Sequence, residues 1–439
     1  MLRFKHGLRH YASVHNYTNI VKSYEGKSVL VTGGTGFVGK VFLEKLLYRC
    51  QGIDNVFLLI REKKNILPQQ RLQKIFDEPV RINNALKIEK PSALDKVVLI
   101  SGDLSKPELG IKTEDEKLLT DTVSFVFHIA ATVNFSASLD VAMNYNVTGT
   151  ERILDLCHRM KTIKSLVYVS SVYSQLDKDI IDEVLYPPPV PLCKLRKMVK
   201  NGMTADEVKK LIGPRPNTYT FSKSLAENLI AEKHANIPAV IVRPSIADEP
   251  VKGWIDNFNA ATGFISVMAN GRNRVMLSKS SNIIDLIPVD YVCNQLIVAA
   301  VKYVAVYNCS TSSENPITHF TDDVPLPFVY FTSSKWIVSL ITFICQTLPA
   351  YIADSTLLIF GKEPRYIKIH KKVVLLRDVG NYFTSRSWVI RASKTRDLAE
   401  SLSTTDRKYF PFNPKDIDWK EYIPIYCKGI RKYLLKNDK

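Results

Sequence analysis

Of the twenty tyrosines in this 439-residue chain, one alone is followed four residues later by a lysine. The pair is Tyr219 and Lys223, in Asn217-Thr-Tyr-Thr-Phe-Ser-Lys-Ser-Leu-Ala-Glu227. Residues four apart share one face of a helix. An ammonium beside a phenol lowers the phenol pKa from about 10 toward neutrality, which suits it to donate a proton in carbonyl reduction. Taken alone, the spacing also describes any amphipathic helix. What lifts it is Val169-Ser170-Ser171, the end of an apolar, β-branched run. Hydroxyls at the C-terminal end of a parallel strand lie where ligands bind in open α/β sheets, and they can hydrogen-bond a substrate carbonyl. Asn146, opening Asn-Val-Thr-Gly-Thr150, is a candidate fourth member that relays protons through water. It also begins a glycosylation sequon, the weaker reading for a cytosolic type of chain.

Such groups need a rigid scaffold. Ser28-Val-Leu-Val-Thr32 reads as a buried parallel strand, and 40–49 as a helix with Val41, Leu43, Leu46 and Leu47 at helical spacing. Further strands are expected at 55–60, 96–101, 124–129, 165–170 and 239–242. Strands alternating with helical stretches imply an α/β fold, a doubly wound Rossmann parallel sheet. The turn between the first strand and helix is Thr32-Gly-Gly-Thr-Gly-Phe-Val-Gly39. Gly33 permits the tight turn, Gly36 lets the backbone approach a pyrophosphate, and Gly39 lets helix pack on strand. Phosphate oxygens then rest on free N–H groups at the helix N-terminus. The second strand runs into Arg61-Glu-Lys63-Lys64, where a reader of NAD would carry an acidic residue for the ribose 2′-OH. Arg61 suits a 2′-phosphate instead, so NADPH is expected over NADH. Asp103, after the third strand, can accept from an adenine amino group, and the small residues of His128-Ile-Ala-Ala131 let backbone run beside the ribose.

The net charge is +17, with 46% hydrophobic residues. That composition excludes a disordered, collagenous or low-complexity chain, and the length suggests one large or two unequal domains. Seven scattered cysteines without CxxC spacing argue against a disulfide framework and a zinc site, and favour a reducing compartment. The first 24 residues are basic and acid-free but lack an apolar segment, which fits a tail or organelle-targeting segment better than a secretory signal. Residues 306–335, rich in Ser, Thr, Pro and Asn, read as a linker. The apolar stretch 336–360 is interrupted by Pro349 and Asp354, which favours a membrane-surface helical hairpin or a helical core over a true span. Residues 361–396 then hold ten basic residues against Glu363 and Asp378, and are expected to face anionic lipid headgroups or a polyphosphate ligand. No nucleic-acid motif is present. The expected organisation is a basic tail (1–25), an NADP-binding catalytic domain (26–305), a linker (306–335) and a smaller, mainly helical C-terminal domain (336–439).

The glycine turn, the YTFSK motif and Ser170-Ser171 together resemble the extended short-chain dehydrogenase/reductases. VFHIAATVNF (126–135), YPPP (186–189), PNTYTFSKSLAEN (216–228) and IVRPSI (241–246) resemble, more specifically, the fatty acyl-CoA reductases, above all their insect-type members. GWIDNFNAATG (253–263), DLIPVDYV (285–292) and VYNCSTSSENPIT (306–318) extend the likeness, and LPAYIADS (348–355) and NPKDIDWKEY (413–422) resemble that family's own C-terminal domain. The match runs in order over about 26–435.

This resemblance implies Ser171 at the family's active-site Thr/Ser position, Ser170 being the lesser candidate, with Tyr219 and Lys223 as the proton-donating pair. It implies a cofactor site of Gly33, Thr35, Gly36, Phe37, Val38 and Gly39, joined by Arg61, Asp103, Leu104, Ala130 and Ala131. Tyr219, Lys223, Pro244 and Ser245 complete that site. The implied reaction reduces a long-chain acyl-CoA to a primary alcohol through an aldehyde, using two NADPH, with residues 171–219 and the C-terminal region shaping an acyl tunnel. The implied location is intracellular, at an endoplasmic reticulum or peroxisomal membrane with the catalytic domain in cytosol or peroxisome. Relatives usually carry a further hydrophobic C-terminal segment, so either anchoring falls to 336–360 or the sequence is shortened, and Ile246–Gly253 looks abbreviated. A sterol or nucleotide-sugar reductase, or a non-catalytic NADP-binding scaffold, would share the turn and the Tyr–Lys pair. The C-terminal likeness discriminates against the former, and the intact Ser171, Tyr219 and Lys223 against the latter.

Overall fold

Continuous apolar runs can form strands only if both faces of the sheet are covered, and the chain folds accordingly. A computed structural model describes residues 19–77, 86–248, 253–256, 258, 260–279, 281–318 and 329–435. The expectations for residues 1–18 and for half of the 246–253 segment, residues 249–252, therefore lie outside the described residues. Seven parallel strands make the main sheet: β1 (Ser28–Thr32), β2 (Val56–Ile60), β3 (Val97–Ser101), β4 (Val123–His128), β5 (Ser165–Val169), β6 (Ala239–Pro244) and β7 (Val306–Cys309). Their order is β7-β6-β5-β4-β1-β2-β3. β1 is the switch point: Leu30 pairs with Phe57 on one side and with Val126 on the other. Every residue of β1, β2, β4 and β5 is buried. The edge strand β3 is partly exposed. The C-terminal ends of β1, β4, β5 and β6 thus emerge along one edge, where such sheets bind ligands.

Six strands fall within two residues of the sequence expectation. β7 does not, because its four residues lie at the start of the segment expected to be a linker. Composition averaged over 306–335 hides Val306-Tyr-Asn-Cys309, all four buried and paired with Ile241–Pro244.

The chain divides into two compact units, neither continuous in sequence. The first comprises Met1–Ala247, Val289–Cys309 and Arg391–Asn413; the second, Asp248–Pro288, Ser310–Ile390 and Pro414–Lys439. The first unit is held together across its breaks in sequence. Part of the reason is Glu183, 3% exposed, whose carboxylate accepts from the backbone N–H groups of Asn308, Lys394 and Thr395 and from the Thr395 hydroxyl. One buried acid thereby fastens the returning C-terminal segment to the sheet unit. In the second unit, Lys335–Ile359 is a 25-residue apolar helix with a π-helical turn at Phe343–Thr347. A 19-residue helix follows at Tyr366–Thr384.

Candidate active site

In the first unit, the glycine turn joins β1 to helix α1 (Phe37–Arg49). Gly33 has φ +79°, and a Cβ there would lie 2.7 Å from the Ala130 backbone nitrogen. At Gly39 a Cβ would stand 2.1 Å from the Gly33 carbonyl oxygen, so only glycine lets α1 pack on its own turn. Gly36 caps α1 from an exposed position, and a Cβ added there would meet nothing within 4 Å but the Gly33 carbonyl. Phe37 and Val38 open α1 behind it, and the Thr35 hydroxyl accepts from Arg71 Nη2 at 2.7 Å.

Arg71, on helix α2 (Pro68–Asp77), is a residue that the sequence reading missed. Its other terminal nitrogen donates to the Arg61 carbonyl at 2.7 Å, so two guanidinium groups flank the end of β2. Arg61 itself donates to the Tyr145 hydroxyl at 2.6 Å, and its Nη1 lies 3.7 Å from Asp103 Oδ2. Asp103 is thus partly engaged: its Oδ1 accepts from the backbone and hydroxyl of Ser105. Leu104 does not join the site by its side chain, which is 7% exposed and packs in the core. Ala130 donates its N–H to Thr32 Oγ1 at 3.2 Å, and Ala131 follows it past the end of β4.

Asn217 starts helix α4 (Thr218–Lys233) by accepting from the Thr220 N–H, a standard N-cap, and thereby aims Tyr219 and Lys223 at the ends of β5 and β6. (The intervening helix Gly149–Arg159 is α3.) The hydroxyl of Ser171 lies close enough to the Tyr219 phenol to pull its pKa down against burial. It lies 3.4 Å from the Pro244 carbonyl and accepts from the Tyr173 N–H. Ser170 is not equivalent: its hydroxyl donates to Glu227 Oε1 at 2.5 Å. The ring of Phe135, after β4, lies 5.7 Å from that of Tyr219.

The electrostatics differ from the sequence expectation. Burial pushes the Tyr219 phenol up to about 12, with the Ser171 hydroxyl pulling weakly the other way. Lys223, 2% exposed, is pushed down to about 7 by burial, with Glu227 opposing. Its Nζ donates to the Val169 carbonyl at 2.7 Å and lies 4.5 Å from the centre of the Tyr168 ring. The expected lowering of the tyrosine pKa by the lysine is therefore absent, because desolvation dominates both groups. At neutral pH Tyr219 is a protonated phenol.

Asn146 also departs from the relay expected of it. It lies in a π-helical turn, Met143–Thr148, and is 2% exposed, too buried for a glycan. Its Oδ1 accepts from the Thr132 N–H, and its Nδ2 donates to the Thr132 carbonyl and to Ser222 Oγ. The side chain is a tie between the β4 loop and α4.

Beneath the site lies a buried charge cluster that sequence reading passed over. Glu227 receives Arg243 Nε at 2.9 Å and Nη2 at 2.7 Å, both side chains being fully buried. It also accepts from Ser170, Ser174 and Gln175 Nε2. The signal was available: Glu227 continues the Tyr219–Lys223 face by one more turn.

Together these features fit a dinucleotide. The space at Gly36 is one a phosphate could enter, and the hydroxyl of Ser245, just past β6 and 7% exposed, is buried without a hydrogen-bond partner among the described residues. Among the same residues no cluster of His, Cys, Asp and Glu could hold a metal ion. Fold and site define an extended short-chain dehydrogenase/reductase, an oxidoreductase with a nicotinamide cofactor.

Solved structures share that fold. The terminal R domain of the myxalamid pathway aligns with TM-score 0.64 over 94% of this chain and 92% of its own, at 19% identity. A nonribosomal peptide synthetase reductase domain from Mycobacterium tuberculosis aligns with TM-score 0.62 over 93% and 92%, at 18% identity. Two family models match, both described as male sterility protein: an NAD-binding one over residues 31–296 and a C-terminal one over 345–437. Fatty acyl-CoA reductase 1 of Rattus norvegicus is 36% identical over 96% of this chain and 87% of its own length. The Xenopus laevis protein is 37% identical with the same coverage, and fatty acyl-CoA reductase wat of Drosophila melanogaster 33% identical over 94% and 85%. The chain belongs to the fatty acyl-CoA reductase family.

Proposed function

We propose that this protein reduces long-chain fatty acyl-CoA to the primary alcohol with NADPH. The observation that supports it is the meeting of a protonated Tyr219, Ser171 and Lys223 at the strand ends beside the glycine turn. In this reading bound NADPH supplies a hydride to the acyl carbonyl carbon, once to the thioester and once to the aldehyde left when the CoA thiol departs. Ser171 and Tyr219 hydrogen-bond the carbonyl oxygen and stabilise its developing negative charge. Tyr219 then gives up its proton to that oxygen. Lys223, held by Val169 and Tyr168, positions and recharges the phenol. The site residues toward the cofactor are Gly33, Thr35, Gly36, Phe37, Val38, Gly39, Ala130, Ala131, Pro244 and Ser245, with Asn146 as a positioning residue. Arg61 and Arg71, joined through the Arg61 carbonyl, are the cations that would receive a 2′-phosphate and select NADPH.

The second unit supports attachment to a membrane surface. Lys335–Ile359 is long and apolar enough to cross a bilayer, yet only 17% of its most apolar stretch is buried. Asp354 is not a stray charge: its carboxylate accepts from the N–H groups of Arg365, Tyr366 and Ile367 and so caps the following helix. That turn-back favours a helical hairpin on the surface, with exposed Lys362, Arg365, Lys368, Lys371 and Lys372 toward anionic headgroups. The remainder of the expected basic block is occupied otherwise. Arg377 is buried on Thr342, and Arg391 and Lys394 bind Asp182 and Glu183.

The test is incubation of purified protein with palmitoyl-CoA and either NADPH or NADH, with product analysis. Hexadecanol release with strong preference for NADPH is expected. Equal turnover with NADH overturns the role given to Arg61 and Arg71, and absence of any reduced product overturns the substrate.

A further inference from the structure

Beneath the cofactor turn, five buried side chains form a chain of hydrogen bonds whose direction can be worked out from one end. Thr150, 1% exposed, donates its single hydroxyl proton to the Asn146 carbonyl at 2.7 Å, since a carbonyl only accepts. Toward His128 Nε2, 3.0 Å away, Thr150 can then only accept, so Nε2 carries a proton. His128 is 1% exposed and burial holds it neutral, which leaves Nδ1 bare. Nδ1 therefore accepts from the Thr32 hydroxyl at 2.7 Å. Thr32 Oγ1 in turn accepts from the Ala130 N–H, and Ala130 packs against Gly33 so closely that a Cβ on the glycine would collide with it. Tyr168, whose ring lies 5.6 Å from that of His128, has its phenol held protonated by burial, and its hydroxyl has no hydrogen-bond partner among the described residues. At the other end, Asn146 Nδ2 donates to Ser222 Oγ at 2.9 Å, and Ser222 donates to the Tyr219 carbonyl at 3.0 Å.

We propose that His128 is a positioning residue, locked as the Nε2–H tautomer in a continuous buried chain that couples the glycine-rich turn to the backbone of Tyr219. This rests on the reading of Tyr219 as proton donor and of the turn as the NADPH site. The π-helical turn at Met143–Thr148 carries the Asn146 link, as such turns often do at functional sites. Because coupling is reciprocal, cutting the chain at its Tyr219 end must weaken cofactor binding at the other.

The test is a double-mutant cycle with Thr150→Val and Ser222→Ala, reading NADPH affinity by titration and kcat with palmitoyl-CoA. Each single variant should weaken NADPH binding about threefold or more, and the double variant no more than the worse single, since both cut the same chain. Additive effects, or a Ser222→Ala variant that binds NADPH like the parent, overturn the coupling. Nitrogen-15 NMR of histidine-labelled parent protein reads the tautomer without any variant having to fold: a protonated Nδ1 on His128 overturns the proposal. Tyr219→Phe separates the two readings. If it turns over like the parent, the proton-donor assignment falls, while the coupling measured by binding alone stands or falls by itself.

Discussion

The two units invert the usual distribution of polarity in opposite ways. In the sheet unit, Glu227 and Arg243 are fully buried and Lys223 nearly so. In the helical unit, Trp336 is 71% and Ile359 81% exposed, on one long apolar helix. Buried charge is costly unless paired, and large contiguous apolar exposure marks a surface that meets something else. The difference lies in where the partner is. Glu227 finds five donor groups within its own unit, on Arg243, Ser170, Ser174 and Gln175, so its inversion is complete in the folded chain. Among the described residues little covers Lys335–Ile359, so that inversion is not completed within its own unit, and the bilayer surface proposed above would complete it.

If the buried polar groups exist for chemistry, the largest response should come from the group that touches substrate. Tyr219→Phe removes the proposed proton donor while keeping the ring against Phe135. A fall in kcat of about 10²–10⁴-fold with NADPH affinity retained is expected, measured by steady-state turnover and cofactor titration. Equal loss of NADPH binding would make Tyr219 a structural residue instead. Next comes the pair beneath it. Glu227→Gln leaves the Arg243 guanidinium buried without its counter-charge, and should cost about 3–5 kcal/mol of stability in urea unfolding. A loss below about 1 kcal/mol would mean that water reaches the pair, contrary to its complete burial.

The same contrast governs how much was legible beforehand. Strands β1 to β6 announced themselves because a doubly covered sheet demands unbroken apolar runs. The glycine turn was legible because each glycine answers a steric demand, as the 2.1 Å approach at Gly39 shows. β7 was hidden because four residues inside a polar segment carry too little pattern to register. Arg71 and His128 were invisible for another reason: their roles come from partners distant in sequence, Thr35 and Thr32 among them. The Tyr–Lys spacing was read correctly as one helical face, yet its pKa consequence reversed, because spacing carries no information about desolvation.

The membrane side of the contrast makes a smaller prediction. Trp336→Ser and Ile359→Ser each remove a large exposed apolar side chain and should weaken binding to phosphatidylserine vesicles by about 1.5–3 kcal/mol apiece. Co-sedimentation measures this, and NADPH affinity should not move. Undiminished vesicle binding by the double variant would show that the helix packs against protein instead.

The smallest effect is the one that distinguishes Lys223 from its paired neighbours. Arg243 has a carboxylate against it, whereas Lys223 has a carbonyl and a ring face, and burial lowers its folded pKa to about 7. Unfolded, the lysine titrates near 10.4. Between those values the unfolded chain holds a proton that the folded chain lacks, so this group makes stability rise with pH. Its penalty is present in full below about pH 7. Lys223→Met should therefore flatten the dependence of urea stability on pH between about 7.5 and 9.5, removing a slope of at most about 1.4 kcal/mol per pH unit. A variant that keeps the parent slope would mean that the ammonium stays charged in the folded site, held by Glu227 one turn away as firmly as Arg243 is.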